Sequence, residues 1–345
     1  MIAALDLGLL YAVMALGVYL TFRILDFPDL TVDGSFTTGG ATAAVLIVAG
    51  INPIVATLAG FVAGFLAGVI TGLLHTKGQI NGLLAGILTQ IGLYSINLRI
   101  MGGANEPLLR TETVMTPLRG QGLLATWSSV GIFTVLALVA TAVLVWFLHT
   151  NMGLGMQATG ENEGMARSFG VNTDGQKVFG LALSNGLVGM AGAVIAQYQG
   201  YADISMGVGI IVAGLASVII GQALLGTRTI LVAAVAVVIG SVLYRLAIQV
   251  AMNLGLDPND MKLMSAILVI AALVLPQWGP LKKLRMKRKM REAVPANGGA
   301  AVAGAAAAGA SVPSEQSQGA AAGAETGAAA GSSTGGSARG AGSGE

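Results

Sequence analysis

The chain is 345 residues long, 54% hydrophobic and only 10% charged, with a net charge of +2. A soluble globular domain carries about 25% charged residues, so this balance excludes an ordinary soluble fold, and repeated apolar windows of about 20 residues point to one membrane-embedded helical domain. The absence of cysteine excludes a disulfide framework and a thiolate metal site, and His75 and His149 lack ligand spacing, so no metal or cofactor is expected.

The first apolar run lacks the basic start and small-residue cleavage site of a secretory leader. Its first cation is Arg23, beyond the run, so the first helix is expected to stay in the mature chain. Apolar windows at residues 2–22, 36–49, 53–74, 82–100, 130–148, 178–199, 208–225, 230–252 and 263–275 predict about nine helices and an all-α polytopic membrane protein. The second and last windows are short, as expected of broken or tilted helices. Glycines in GFVAGFLAG and GLVGMAGA have the small-xxx-small spacing that lets helix backbones approach closely.

Two segments echo each other. LDFPDLTVDGSFTTGGATAAVLI, from Leu25, and GYADISMGVGIIVAGLASVII, from Gly200, each follow an apolar helix and place an aspartate two residues before a hydroxyl, Asp29 with Thr31 and Asp203 with Ser205. Each then runs through small residues into another helix. Inverted repeats with broken helices are a transporter feature, and substrate paths run along their interface. Polar groups at membrane depth are costly and mark functional candidates. The path is therefore expected at Asp29, Thr31, Asp33, Ser35, Asp203 and Ser205, residues that equally suit helix capping and turns. Among the other polar groups, Gln90, Asn97, Asn185, Gln197, Gln222 and Gln249 suit interhelical hydrogen bonding. Arg245 shares a face with Gln249 and has no carboxylate within helical reach, so it is expected to snorkel or to find an acid on another helix.

LKKLRMKRKMRE carries seven Lys or Arg between Lys282 and Arg291. Cations near the membrane stay cytoplasmic, so counting back through nine helices puts residues 23–35, 75–80, 160–177 and 226–229 inside. The N-terminus, 102–129, 200–207 and 253–262 then lie outside. Three parts follow: a membrane domain over 1–281, a basic juxtamembrane segment over 282–292, and an Ala/Gly/Ser-rich tail over 293–345. The tail has too little large apolar surface to offset ordering entropy and is expected to be disordered.

GENEGMARSFGVNTDGQK, residues 160–177, is a polar island between apolar runs. Thr159 can cap a short helix, Glu161 and Glu163 suit its first turn, Arg167 its end and Gly170 its stop. Met165 and Phe169, four apart, share one apolar edge. So short a helix is marginal alone and needs a partner surface.

NMGLGMQATGENEGMARSFGVNTDGQKVFGLALSNGLVGMAGAVIAQYQG resembles the cytoplasmic loop and following helix of permease subunits in the branched-chain amino acid and ribose class of ABC importers. The resemblance extends from about Ile2 to Pro280. The wording DLTVDGSF is similar to a subgroup described as tryptophan or tyrosine transport permeases. It implies that residues 159–170 form a coupling helix, with Glu161, Asn162, Glu163, Met165, Ala166, Arg167 and Phe169 facing a cytoplasmic ATP-binding subunit. It also implies an external solute-binding protein, a second permease subunit expected to be an identical copy, a bacterial plasma membrane location, and a small solute of amino-acid type. No GxxxxGK[ST] occurs, so ATP hydrolysis is expected in a partner chain and this chain is not expected to be an enzyme. No nucleic-acid partner is expected.

Two other classes bear on the same residues. Asp26, Asp29 and Asp33 have the DxxDxxxD spacing with which membrane prenyltransferases hold magnesium, but the second acidic pair, Asp257 with Asp260, falls on the opposite face. A secondary transporter would use paired intramembrane acids, and here Asp6 is the one carboxylate well inside a helical window.

Overall fold

The computed structural model describes residues 1–255 and 261–274, all within one compact unit, Met1–Arg285. The basic run, the tail, Asp257 and Asp260 lie outside the described residues. Helix α1 (Ile2–Tyr19) is buried along most of its length, and a helix that is apolar all round belongs at the centre of a bundle. Around it pack α6 (Trp127–Leu148), α9 (Thr173–Gln199), α10 (Ile210–Leu225) and α11 (Ile230–Asn253). Ser184 on α9 and Ser241 on α11 donate to the Gly17 and Gly8 carbonyls of α1 at 2.7 and 2.8 Å. Asp6 on α1 accepts from Ser129 Oγ at 2.8 Å and from Ala125 N at 3.2 Å, which pins the start of α6.

α1 ends in a π-helical turn, Leu20–Ile24. Phe27 N still reaches the Thr21 carbonyl at 3.0 Å, and Pro28 prevents the helix from continuing. The chain doubles back into α2 (Thr31–Val48) and then α3 (Pro53–Thr76) and α4 (Gly82–Met101). Asn52 and Asn81 cap the last two, each accepting the N–H two residues on. Pro53 fits the first position of α3 because that N–H has no helical partner anyway.

The nine apolar windows correspond to the nine described helices of fourteen residues or more, the last being α12 (Met261–Val274). Six of them are long and apolar enough to cross a membrane. Helix starts lie upstream of several windows, with α2 at Thr31, α6 at Trp127 and α9 at Thr173, because polar residues that cap or begin a helix carry no apolar signal. Three short helices add to the windows: α5 (Thr116–Gly120), α7 (Asn151–Glu161) and α8 (Glu163–Ser168). A two-stranded antiparallel ribbon, β1 (Asn105–Pro107) with β2 (Tyr201–Asp203), joins the ends of two distant loops.

The ends of the bundle divide the loops. The π turn, residues 25–28, the α3–α4 connection, α7 and α8 meet around one cavity, while the ribbon and α5 lie with the other end of α9. This matches the alternation counted from charge, which put 23–35, 75–80 and 160–177 on one side and 102–129 with 200–207 on the other.

Gly60, Gly64, Gly68 and Gly72 form a four-residue stripe on α3, packed against α9, where added side chains would strike Ala193, Asn185, Leu181 and Val178. Overpacking such a contact costs about 1–3 kcal/mol or more. Gly68→Leu is expected to lower the thermal midpoint and the monodisperse yield in detergent, whereas Gly92→Ala on α4, with nothing within 4 Å, leaves both unchanged.

Candidate functional site

Two arrangements carry chemistry. The first is the polar island. One helix from Thr159 was expected there, and the structure has two with a break. α7 runs from Asn151 to Glu161 and is capped by Thr150, so Thr159 lies inside it and donates to the Gly155 carbonyl at 2.7 Å. Glu161 is thus the last residue of α7, not part of a first turn. The cap is Asn162, whose extended backbone interrupts the helix and whose side chain accepts from Met165 N at 2.9 Å. Asparagine and threonine both offer a side-chain oxygen that can cap a helix, and here asparagine stands at the break.

α8 has six residues, too few to persist by itself. It is tied to the first turn of α9 by charge. Arg167 Nη2 reaches Asp174 Oδ1 at 2.9 Å and Thr173 Oγ1 at 2.8 Å, with Glu163 Oε1 at 3.3 Å. Lys177 Nζ donates to Glu163 Oε2 at 2.7 Å. That hydrogen bond, with the nearby Arg167 charge, holds the Glu163 carboxyl below the usual glutamate range. Gly170, at φ +84°, ends the segment in the left-handed conformation that glycine adopts freely. Ala166 is buried against the rest of the protein, whereas Met165 and Phe169 are 50% and 79% exposed. Glu161 and Asn162 are exposed beside them.

α7 is seated directly on the π turn: any side chain at Gly160 would collide with the Ile24 carbonyl. Phe27, His75, Glu163 and Lys177 surround the same junction.

The second arrangement is interior. Asp29 is fully buried, accepting from Thr31 N at 2.9 Å and from Asn185 Nδ2 at 2.6 Å. Thr31 Oγ1 lies 2.7 Å from Thr71 Oγ1, and Ser35 is buried with its hydroxyl unpartnered. Asp33 bridges two segments far apart in sequence: its oxygens accept from Gly209 N at 2.9 Å and Ile211 N at 2.8 Å, the first turn of α10. Asp203 and Ser205 bond to each other near the ribbon.

Of the six expected path residues, Asp33 alone lines the cavity of about 420 Å³ between α2 and α4. Asp29, Thr31 and Ser35 are enclosed in packing, and Ser205 faces a different cavity. The other polar walls come from Thr37, Gln90, Tyr94, Ser95 and Asn97, and the buried Asn97 Oδ1 has no hydrogen-bond partner. Gln90, Tyr94 and Asn97 recur at i, i+4 and i+7 on α4, a helical-face signal that was present in the sequence. Gln197 does bond between helices, Nε2 donating to Thr57 Oγ1 on α3 at 2.8 Å, whereas the partner of Asn185 is Asp29, in the turn before α2. Asp26, Asp29 and Asp33 diverge, and among the described residues no three acids or histidines gather as metal ligands.

Residues 1–274 match the family model described as branched-chain amino acid transport system, permease component. The chain is 40% identical over 272 residues to a tyrosine transport system permease protein of Clostridioides difficile, covering 79% of this chain and 90% of that one. It is 32% identical over 279 residues to an uncharacterized protein of Rickettsia prowazekii, covering 79% and 96%. It is 23% identical over 213 residues to the ribose import permease of Escherichia coli K12, covering 61% and 65%.

Two outcomes test this geometry. Asp33→Ala strands two buried N–H groups, so it should cost on the order of 2–3 kcal/mol in chemical or thermal unfolding. The second concerns Glu163, whose carboxyl is depressed in the fold. Its contribution to stability is present above the unfolded glutamate value of about 4.3 and is lost as pH falls through the lower folded value. The stability difference between wild type and Glu163→Gln, no more than about 1 kcal/mol for so exposed a group, should therefore be constant above about pH 5 and vanish in stronger acid.

Proposed function

The chain belongs to the family of permease components of branched-chain amino acid transport systems, and on that premise we propose how its parts divide the work of import. It is an ABC importer permease, a multi-pass transport subunit of the bacterial plasma membrane. ATP is hydrolysed by a separate cytoplasmic subunit that docks on α7 and α8. Met165 and Phe169 enter an apolar groove on that subunit, while Glu161 and Asn162 contact its rim. Glu163, Arg167 and Ala166 face the other way and hold α8 to α9.

The observation that carries this reading is an exposed apolar pair, Met165 on a six-residue helix and Phe169 just after it, with the helix braced by three ion pairs. Exposed apolar side chains on a rigidly braced helix suit a partner groove rather than bulk water. Movement of the partner would press on Gly160 and so on the π turn. Unlike a regular helix, that turn can take up a change in register. Asp29 and Thr31 lie just beyond it.

Solute would pass beside Asp33 through the cavity of α2 and α4, entering from the ribbon end, where an external binding protein delivers it. The α4 wall carries exposed Ile91 and Tyr94, so a second copy of the chain across this face would enclose the path. The solute is of amino-acid type, a reading supported by the tyrosine permease of C. difficile.

Met165→Asp or Phe169→Asp is expected to abolish co-purification with the ATP-binding subunit while the permease keeps its elution volume and thermal midpoint. Retention of the subunit by both variants would rule out the docking face.

A further inference from the structure

A second cavity, of about 270 Å³, shares Val208 with the first and lies against the opposite flank of the 204–209 loop. Its polar wall comprises Tyr11, Ser205, Tyr244, Arg245 and Ser265. Among the described residues Arg245 neither meets a carboxylate nor pairs with Gln249, which donates instead to Asn253 at 3.2 Å. Its guanidinium carbon stands 3.7 Å from the centroid of the Tyr11 ring. The stack attracts the cation through the face of the guanidinium. It leaves the in-plane donors unused, and Nε is buried without a hydrogen-bond partner.

Among the described residues no acid lines this cavity. Asp33 spends one oxygen on Gly209 N and the other on Ile211 N, and Asp203 is engaged by Ser205. The result is a cavity with a fixed positive charge that has no carboxylate partner among the described residues, and with hydroxyls on its wall from α1, α11 and α12. A guanidinium fork matches the planar spacing of an oxyanion, and phosphate is among its preferred partners.

We propose that this cavity is an oxyanion site that takes a phosphate group, with Arg245 as the charged ligand and Tyr244 as a supporting donor. The phosphate has two sources, the headgroup of an anionic phospholipid or dissolved phosphate. Two features favour the lipid. Arg245 precedes the end of α11 at Asn253 by eight positions, about 12 Å at 1.5 Å per residue, a depth that a headgroup drawn inward can reach. The rest of the wall is aliphatic, including Ile210 and Ile248, and so suits a glycerol backbone and the start of an acyl chain. The site is independent of the transport reading, since it involves neither α7 and α8 nor the α2–α4 cavity. A bound lipid there would brace the loop that feeds α10.

The test uses the purified full-length chain in neutral detergent, titrated separately with phosphatidylglycerol, phosphatidylcholine and inorganic phosphate and read by native mass spectrometry. Wild type is expected to retain one phosphatidylglycerol that Arg245→Gln binds about tenfold more weakly, the loss of one charge-assisted contact, with Arg245→Lys intermediate. Inorganic phosphate that displaces the lipid assigns the site to a dissolved anion, and failure to compete assigns it to the lipid. Equal retention by wild type and Arg245→Gln, or binding of neither probe, overturns the proposal. Should Arg245→Gln not fold, Tyr244→Phe must lower retention. An unchanged value in that variant also overturns it.

Discussion

The fold turns on one carboxylate. At the start of α10 the half-buried Gly209 N–H and the buried Ile211 N–H have no helical partners, and an unsatisfied buried donor costs about 1–3 kcal/mol. Asp33, near the start of α2, would be equally costly as an unpaired buried acid. Set against each other at 2.9 and 2.8 Å, the two liabilities cancel. Thr37 joins the same contact by accepting from Gly207 N at 3.1 Å. The start of α2, the 204–209 loop and the start of α10 therefore behave as one unit, and that unit separates two cavities of opposite character. One is walled by a carboxylate and amides, the other by an arginine and hydroxyls.

The resemblance between the segments from Leu25 and Gly200 has a physical counterpart. In each, an aspartate Oδ1 accepts the backbone N–H two residues on, from Thr31 at 2.9 Å and from Ser205 at 2.8 Å. These are the same side-chain turn built at opposite ends of the bundle. The copies then diverge. Asp29 is sealed and bonded to Asn185, whereas Asp203 stays near the surface beside the ribbon. One turn leads straight into its helix, while the other needs five further residues and the distant Asp33 to begin α10.

The braced helix α8 and the π turn are joined through direct contacts. Ion pairs link α8 to α9, and the close approach of Gly160 to Ile24 seats α7 on the turn. Beyond the turn, Asp29 bonds to Asn185, back on α9. Gly160 permits the close seating on Ile24 because it has no side chain to hold the two backbones apart.

Much of this was legible in the residues themselves. Nine apolar runs located nine helices, because membrane-depth burial demands continuous apolar sequence and a local hydrogen-bond pattern. The small-xxx-small stripe on α3 announced close packing, and the alternation of charge grouped the loops correctly by end. The polar island was recognisable, yet its cap at Asn162 was not, since Thr159 and Asn162 are both competent caps and only the packing of Gly160 on Ile24 decides where α7 must stop. Tertiary structure alone decided that Asp33 belongs to α10, 178 residues away from Ile211, that Arg245 lies over Tyr11, and that Asp29 faces Asn185. Helix period and capping are written in neighbouring residues, whereas the partner of a buried charge is whichever group the fold brings within about 3 Å.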